Sequence, residues 1–322
     1  MTGGIAVSVV IPAYNARDFI ARTLDTVRAQ TFVGHETIVV DDGSTDGTAA
    51  VVEGYFMTHA MQGRVVRQTN RGIAAARNTG MRAAAGTYIA LLDHDDLWYP
   101  EKLAAVMAEF AQYPAVDLVC HDENITREGR IVRVSRRRMR HGNVYEGLLF
   151  GGNMLSPSAT TLRRDAALSL GGFDERMEYL TVEDYDFWMR FSRNRRIRFL
   201  DRVLGEYVIA ERAASRRIVF HHLALERMLR DHLTAYSLAH PGPFARLRVR
   251  RRLAQVFRSA ARQLMSYGEC PEDQQVLIGR MLRTYPLDPK NVVVALLWLA
   301  GAWRRWPART ASLDSSPGGK HP

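Results

Sequence analysis

The feature that most constrains the fold is an alternation of strand-like and helix-like segments through the first hundred residues. The strand-like segments are IAVSVVIPA, ETIVVDD, GRVVRQTN and TYIALLD, all short and all containing apolar or β-branched residues. Helical spacing follows the first of them, where one face of the segment from 16 to 30 carries Phe19, Ile20, Leu24 and Val27. Strands that alternate with helices predict a mostly parallel sheet covered by helices on both faces.

Turn-forming residues punctuate this alternation. Ser44 or Asp46 is predicted to cap the helix that follows GSTDGT, and Gly86 to close the Ala-rich helix GIAAARNTGMRAAAG. Polar groups come directly after three of the strands, at Pro12 to Asn15, Asp41 to Asp42 and Asp93 to Asp96. Ligands of such sheets bind outside the carboxyl ends of the strands, so these three groups are expected to converge on one edge.

The segment YIALLDHDDLWYP places acids at the end of a predicted buried strand. Asp93 and Asp95 are two residues apart, and both carboxylates can reach an oxygen-preferring ion such as Mg²⁺ or Mn²⁺. The alternative is a solvated acidic turn. Asp96 is predicted to cap the helix that begins at Pro100 and Glu101, and His94 to be a spacer whose side chain points away from the metal.

Two further acidic pairs have both a functional and a structural interpretation. Asp41 and Asp42 end a strand, where an acid can bind a ribose hydroxyl or a base N–H, yet Asp-Gly is also a good turn former without a ligand. Glu183 and Asp184 begin the predicted amphipathic helix TVEDYDFWMRFSRN, where the helix dipole alone favours acids. The functional alternative is a general base that takes a proton from an attacking hydroxyl.

Composition narrows the class of protein. The 322 residues are 47% hydrophobic and 24% charged, which argues against general disorder. The formal net charge of +10 predicts attraction to an anionic partner. Two cysteines argue against a disulfide scaffold and favour a reducing, cytoplasmic location. The longest apolar run near the C-terminus, VVVALLWLAGAW, is shorter than the roughly 20 residues that span a bilayer, so no transmembrane helix is predicted.

The second half of the chain has a different pattern. DENITREGRIVRVSRRRMRHG predicts a strand or hairpin with a basic loop, and a strand near Ser158 to Leu162 is followed by a short helix and a Gly-Gly turn. From residue 215 the pattern becomes helical, and the segment from 232 to 268 contains seven arginines and no acid. We therefore predict a main domain over 1–214, a basic helical appendage over 215–309 and a disordered tail over 310–322.

The Arg-rich segment from Arg246 to Arg262 has two interpretations of equal weight. It lies on an anionic inner membrane leaflet with its apolar side chains dipping in, or it is the solvated face of a small helical core. Nucleic acid is disfavoured as a partner, because no recognised binding motif or aromatic interleaving accompanies the arginines.

In series, these motifs resemble the inverting nucleotide-sugar glycosyltransferases of family 2, which have the GT-A fold. The resemblance covers residues 5 to 205 and rests on the segments VSVVIPAYNARDF, IVVDDGSTDGT, NRGIAAARNTGMRAAAGTYIALLDHDDLWYPEKL, LRRDAALSLGGFDERM and EDYDFWMRF. It implies an α/β fold with a Rossmann-like, mostly parallel mixed sheet. It also implies an enzyme that moves one sugar from a nucleoside-diphosphate sugar, most simply a UDP-sugar, to a hydroxyl.

The resemblance also implies roles for single residues. Pro12 and Tyr14 would line the nucleotide pocket, Asp42 would bind the base, and Arg77 would lie near the donor. Asp93 would contact the ribose or the metal, and Asp95 would ligate Mg²⁺ or Mn²⁺. Asp184 would be the catalytic base, with Glu183 beside it. The acceptor would be a glycan or a lipid-linked oligosaccharide in cell-surface polysaccharide synthesis.

The chain departs from the family pattern at one place. Many relatives carry Tyr-Arg-x-His after the base helix, and here YVIAERAASRR has Ala210 or Glu211 where His would stand. Arg212, Arg216, Arg217, His221 or His222 would then serve the phosphates. The Gln-x-x-Arg-Trp motif of processive synthases is only partly matched by AWRRW, at 302–306, which favours a non-processive enzyme.

This departure leaves a catalytically silent nucleotide-sugar sensor or scaffold as the rival function. Nucleotidyl transfer to a sugar phosphate is a further rival, and the missing Gly-rich phosphate loop counts against it.

Overall fold

A computed structural model describes residues 4–138, 143–209, 215–267 and 271–301. Its first half contains the predicted alternation of strands and helices. The strands are β1 (Val7–Ala13), β2 (His35–Asp41), β3 (Gly63–Arg67) and β4 (Tyr88–Leu91), and the helices between them are α1 (Ile20–Arg28), α2 (Thr48–Thr58) and α3 (Ile73–Ala83). All the pairings among these four strands are parallel, which confirms the prediction for this half.

The second half extends the same sheet with mixed pairings. It contributes β5 (Leu97–Trp98), α4 (Lys102–Gln112), β6 (Leu118–Arg127), β7 (Arg130–Ser135), α5 (Val144–Gly151), β8 (Thr160–Arg163), α6 (Arg164–Ser169), α7 (Glu183–Phe191) and β9 (Ile197–Ile209). The sheet order is β3-β2-β1-β4-β8-β6-β9-β5, with β7 paired to β6. The β6–β7 hairpin confirms the predicted hairpin, and part of its basic loop, 139–142, lies outside the described residues.

Both faces of the sheet are covered, as predicted. Val10 of β1 points into one hydrophobic cluster, which includes Met81 of α3, whereas Val9 and Ile11 point into the other, which includes Leu24 of α1. This alternation is the period-two pattern of a strand buried on both faces. The sheet is therefore a rigid platform whose strand ends can hold a site.

Helix α3 lies so close to the sheet that a glycine is required at the contact. A Cβ on Gly80 would lie 2.3 Å from Cγ1 of Val10, whereas a Cβ on Gly54 of α2 would meet nothing within 4 Å. The absence of a side chain at Gly80 thus sets the depth and rotation of α3, which carries Arg77.

These two glycines give a matched pair of substitutions. We expect Gly80→Ala to lower the free energy of unfolding by about 1–3 kcal/mol, because the added methyl group overpacks the helix–sheet contact. Gly54→Ala should raise it by about 0.5–1 kcal/mol through helix propensity alone. Urea titration of both variants tests this, and equal effects would show that α3 does not depend on the close approach.

Two local predictions are wrong. Phe19 precedes α1 and is 41% exposed, so the buried face of that helix is Ile20, Thr23, Leu24 and Val27. Helix α3 ends at Ala83, three residues before Gly86, which instead lies against the backbone of Ser8. Helix α7 is amphipathic and begins with acids, as predicted, yet all its residues except Arg190 are buried.

The prediction that Asp96 caps the next helix is also wrong. Helix α4 begins at Lys102 without a side-chain cap. The Asp96 carboxylate is fully buried and accepts hydrogen bonds from Ser158 Oγ (2.6 Å) and the Val208 backbone N–H (2.9 Å). Asp96 therefore ties the residues that follow β4 to β9, the strand with which β5 also pairs.

The prediction that Ser44 or Asp46 caps α2 is wrong, because the N-cap residue is Gly47 and no side-chain cap hydrogen bond forms there. Asp46 Oδ1 accepts hydrogen bonds from the N–H and the hydroxyl of Thr48, in the first turn of the helix. Ser44 Oγ instead accepts the N–H of Asn15. The two turns that follow β1 and β2 are therefore joined to each other.

Four helices follow the sheet within the residues that the structure describes, and the predicted domain boundary at 215 stays a prediction. They are α8 (Ser215–Ala239), α9 (Pro243–Tyr267), α10 (Pro271–Thr284) and α11 (Pro289–Leu299). Leu253 and Val256 of α9 belong to the same hydrophobic cluster as the sheet, so the helices share a core with it. The predicted tail, 310–322, and the AWRRW segment lie outside the described residues.

Most of the apolar side chains predicted for α9 pack inside the protein. Leu253, Val256, Phe257 and Leu264 are buried, whereas Leu247 is 46% exposed and Phe244 is 82% exposed. The four buried side chains favour the interpretation as a basic face over a helical core, and contact of α9 with a membrane stays a prediction. Across the described ranges, no helix combines the length and apolarity needed to cross a bilayer.

Candidate active site

The carboxyl ends of β1, β2 and β4 bring the three predicted polar groups together. The Asp42 N–H donates to the Ala13 carbonyl at 2.8 Å, which joins the end of β2 to that of β1. The His94 ring nitrogen Nδ1 lies 3.1 Å from the Pro12 carbonyl oxygen, which joins the residues after β4 to β1 as well. Tyr14 follows β1 and is partly exposed at this edge.

Asp42 shapes the loop that enters α3. Its Oδ1 accepts from Gln68 Nε2 (2.7 Å) and from the Arg71 N–H (2.9 Å), and its Oδ2 accepts from the Gly72 N–H (2.8 Å). The carboxylate is 3% exposed. A structural task for Asp42 is thus visible, and its contact with a nucleotide base stays a prediction.

The centre of the site is a buried guanidinium between two acids that are distant in sequence. Arg77 Nη2 donates to Asp93 Oδ1 at 2.8 Å, and Nη1 donates to Glu183 Oε1 at 2.9 Å. All three side chains are at least nine-tenths buried. Arg77 therefore fixes the acid after β4 against the acids that begin α7.

Burial and charge act in opposite directions on these groups. Burial opposes the charge on Arg77, yet the carboxylates of Asp93 and Glu183 raise its pKa above the ordinary value. Burial also raises the pKa of Glu183, although Arg77 counteracts it. Glu183 Oε2 is buried with no hydrogen-bond partner among the described residues. The site therefore holds an excess of acidic groups over cations.

Asp184 has the properties of a base poised near neutral pH. Burial, and then the charge of Glu183, raise its pKa to about 8. Its Oδ1 accepts the Tyr185 N–H at 2.6 Å, and Asn153 Nδ2 donates to its Oδ2 at 3.2 Å. These bonds orient the carboxyl group, and its raised pKa makes it a stronger proton acceptor than an ordinary aspartate.

Sequence reasoning missed two side chains that hold this arrangement. Ser158 Oγ accepts the Asp93 N–H at 3.1 Å while donating to Asp96, and Asn153 orients Asp184. A serine and an asparagine outside the regular helices and strands carry no pattern that would have revealed these partners.

The family resemblance implies that Asn78, like Arg77, lies near the donor. In the structure Asn78 of α3 accepts the Phe173 N–H and donates to the Phe173 carbonyl, both at 2.8 Å, which fixes the Gly-Gly turn against α3. Its contact with a donor stays a prediction.

Helix α8 supports the segment that carries Glu183 and Asp184. The Thr181 hydroxyl lies 3.0 Å from His221 Nδ1, and the Asp186 carboxylate lies 3.1 Å from His232 Nε2. His222 lies 2.9 Å from the Ile218 carbonyl of its own helix. Arg212 lies outside the described residues, so the group that replaces the histidine of the family pattern stays a prediction.

The sequence profile described as glycosyl transferase family 2 matches residues 8–171, which is half of the chain. The chain belongs to this family. The match includes the strand ends with Asp42 and Asp93, and α7 follows it.

Curated relatives agree with the family assignment. The chain is 31% identical over 197 residues to the amylovoran biosynthesis glycosyltransferase AmsB of Erwinia amylovora, an alignment that covers 59% of this chain and 64% of AmsB. It is 36% identical over 129 residues to the chondroitin synthase of Escherichia coli, over 39% of this chain and 18% of that protein. The chain thus matches less than two thirds of the length of either relative.

Solved structures show the fold. Residues 1–349 of TarS of S. aureus, in complex with UDP, superpose with a TM-score of 0.62 at 21% identity, over 93% of this chain and 87% of that fragment. The mannosyltransferase PcManGT of Pyrobaculum calidifontis, in complex with GDP-Man and Mn²⁺, superposes with a TM-score of 0.59 at 20% identity, over 92% and 88%. The predicted glycosyltransferase fold is therefore confirmed.

The donor set of this family 2 site fits a divalent cation that is shared with a ligand. Asp95 is partly exposed beside Asp93, and carboxylate oxygens suit Mg²⁺ or Mn²⁺. Within the described residues no group of three or more His, Cys, Asp or Glu forms a complete metal cage. An ion held here would need further oxygen ligands from a phosphate group or water, and it would offset the acidic excess of the site.

Proposed function

We propose that this protein is a metal-dependent, inverting glycosyltransferase. It transfers one sugar from a nucleoside-diphosphate sugar, most simply a UDP-sugar, to a hydroxyl of a glycan or lipid-linked acceptor in cell-surface polysaccharide synthesis. The observation that supports the proposal is the Arg77 bridge, which joins Asp93, after β4, to Glu183, the neighbour of Asp184 at the start of α7. The names of AmsB and the ligands of TarS and PcManGT support the pathway and the donor class.

Asp184 performs the proton transfer in this proposal. Its carboxylate accepts the proton of the acceptor hydroxyl, whose oxygen bonds to the anomeric carbon as the bond from that carbon to the diphosphate breaks. The attack comes from the face opposite the leaving group, so the configuration inverts. Asn153 and the Tyr185 N–H hold the carboxyl group in place during the step.

The donor side uses the strand ends. Pro12, Tyr14 and Asp42 lie at the edge where a nucleoside would bind, and Asp93 and Asp95 lie where its diphosphate would follow. A Mg²⁺ or Mn²⁺ ion bound by Asp95, with Asp93 beside it, would neutralise the diphosphate and stabilise it as a leaving group. Arg77 already binds one oxygen of Asp93, so we assign the larger share of the metal binding to Asp95.

Donor binding and turnover together test the proposal. Thermal shifts with UDP-, GDP- and dTDP-sugars, each with and without Mn²⁺, should identify one nucleotide that raises the Tm only in the presence of metal. Release of the nucleoside diphosphate then measures turnover. Donor binding without turnover, whichever acceptor is supplied, would instead support the rival function of a catalytically silent nucleotide-sugar sensor. The absence of a thermal shift with every donor would contradict the proposal.

Asp95→Asn gives a sharper result. The amide loses the charge that a divalent cation requires, so we expect kcat/KM to fall by about 10²-fold or more and the Mn²⁺-dependent part of the thermal shift to disappear. The matched control is Asp165→Asn, an exposed acid in the first turn of α6, which should change neither quantity. Equal metal dependence in both variants would remove Asp95 from the metal site.

A further inference from the structure

The net positive charge of the chain comes from residues 215–309. Residues 1–214 contain 26 basic and 27 acidic side chains, whereas residues 215–309 contain 17 basic and 6 acidic ones. Residues 215–309 therefore account for the entire net charge of +10. A charge distribution of this kind points to an anionic partner for the helices rather than for the sheet.

Helix α11 presents an apolar stripe to solvent. Val292, Val293, Leu296 and Leu299 are between 42% and 71% exposed, and their helical spacing places them on one face. The opposite face, with Asn291, Val294 and Ala295, is buried. Leu287, just before the helix, is 82% exposed. The described structure thus leaves five large aliphatic side chains together in water.

Basic side chains lie around the start of this stripe. Arg250 of α9 is exposed and its Nε donates to the Thr284 carbonyl at 2.9 Å, three residues before Leu287. Lys290 is exposed in the first turn of α11. The nearby acid, Asp288, is buried and accepts a hydrogen bond from Arg258 at 3.1 Å. Positive charge therefore dominates beside the apolar stripe.

We propose that the stripe formed by Leu287, Val292, Val293, Leu296 and Leu299 docks on an anionic membrane surface, with Arg250 and Lys290 at the level of the lipid headgroups. A helix with one apolar face and basic neighbours lies in the interface plane, held by buried apolar area and by attraction to anionic lipid. The element that enters the lipid is α11, and α9 supplies charge.

Charge complementarity favours an anionic membrane over two other partners for the stripe, namely a second copy of the protein and residues 302–322 of the same chain. A second copy would bring another strongly basic helical surface against the first, and the two would repel. Residues 302–322 of the same chain contain four basic side chains and one acid, so they are repelled by Arg250 and Lys290 too. An anionic bilayer can bury the apolar stripe and also attract the basic side chains beside it.

Vesicle co-sedimentation of the full chain tests the proposal without any need for turnover, so its result is independent of the proposed reaction. Vesicles of phosphatidylcholine alone are compared with vesicles that also contain phosphatidylglycerol. We expect binding only to the anionic vesicles, weakened by salt. Leu296→Ser combined with Leu299→Ser should lower the partition coefficient by about tenfold or more. Arg250→Gln combined with Lys290→Gln should lower it several-fold and reduce the salt dependence.

The control pair is Val33→Ser with Met57→Ser, two exposed apolar residues of the sheet half of the protein, and it should bind vesicles as the wild type does. Equal partition of the stripe variant and this control would overturn the proposal. Three other results would also overturn it. The wild type could form a dimer that the Leu296→Ser, Leu299→Ser variant does not form. Vesicle binding could appear only after removal of residues 302–322, or the protein could bind RNA and not anionic vesicles. Far-ultraviolet circular dichroism confirms that each variant is folded.

Discussion

Replacing Asp184 with Asn is expected to lower kcat for sugar transfer by about 10²–10⁴-fold, the range that a general base contributes. An amide has the shape of the carboxyl group and keeps an oxygen for the Tyr185 N–H, but it cannot accept the proton of an acceptor hydroxyl. Donor binding should therefore survive. Initial rates and donor titrations on the same preparation measure both quantities.

The pH dependence of the wild type follows from the same carboxyl group. Because the pKa of Asp184 is about 8, the base is mostly protonated at neutral pH, and kcat/KM should rise with pH through a midpoint near that value. A flat profile, together with full activity of the Asp184→Asn variant, would assign the proton transfer to another group.

The same substitution should stabilise the fold at alkaline pH. Between the ordinary aspartate pKa and about 8, the folded protein holds a proton that the unfolded chain has released, so Asp184 makes stability fall as pH rises through this range. The amide that replaces the carboxyl group in Asp184→Asn never ionises. We therefore expect the Tm of the variant to exceed that of the wild type by a few degrees at about pH 9 and by less at about pH 6. Asp165→Asn, an exposed acid, should show no such divergence.

The strands and the acids at their ends could be predicted because their signals are local. β-Branched runs such as the one before Pro12 identify a strand, and the parallel order then sends Asp42 and Asp93 to the same edge. Glu183 and Asp184 are recognisable as acids in a first helical turn. None of these inferences needs knowledge of which side chains meet across the fold.

The partners of those acids could not be predicted, because they depend on contacts between distant segments. The family resemblance implies only that Arg77 lies near the donor, and its bonds to Asp93 and Glu183 depend on how α3 packs against the sheet. Asp96 bonds to the backbone of Val208, 112 residues away. The local sequence pattern predicted a helix cap at Asp96, but its carboxylate instead binds Ser158 and Val208, which are distant in the sequence.

The same reason applies to two of the helices. α7 is amphipathic and begins with acids, yet neighbouring elements bury its polar side chains as well. α9 has an apolar spacing that suits either lipid or a protein core, and four of its apolar side chains are buried in the protein. Periodicity reports that a face is apolar, but not what covers it.

Replacing Arg77 with Met should have the largest effect on stability of any change proposed for this protein. Arg77 neutralises Asp93 and Glu183, and all three side chains are buried. Removing the cation takes away the positive charge that Arg77 supplies to both buried carboxylates, so we expect a loss of about 3–5 kcal/mol in the free energy of unfolding. Urea titration measures it, with Arg82→Met as control, because Arg82 is an exposed arginine on the same helix.

A second substitution isolates the cause of that loss. Adding Glu183→Gln to Arg77→Met removes the charge of one acid that Arg77 binds, and should restore part of the stability. Glu178 is an acid of the same segment that is not paired with Arg77. Adding Glu178→Gln to Arg77→Met should therefore restore none. Equal stability of the single and the doubly substituted proteins would show that Arg77 contributes packing, such as its contact with the Phe173 ring 5.4 Å away, rather than charge.

Arg77→Lys separates the structural role of the bridge from its role in the proposed reaction. A single ammonium group keeps the positive charge but lacks the planar fork that holds two carboxylates at once. The variant should therefore fold, and kcat should fall more than donor affinity, because Asp184 loses its fixed position relative to the donor edge while Asp93 keeps a cation. A variant that loses donor affinity with an unchanged kcat would instead place Arg77 in the donor pocket, as the family resemblance implies.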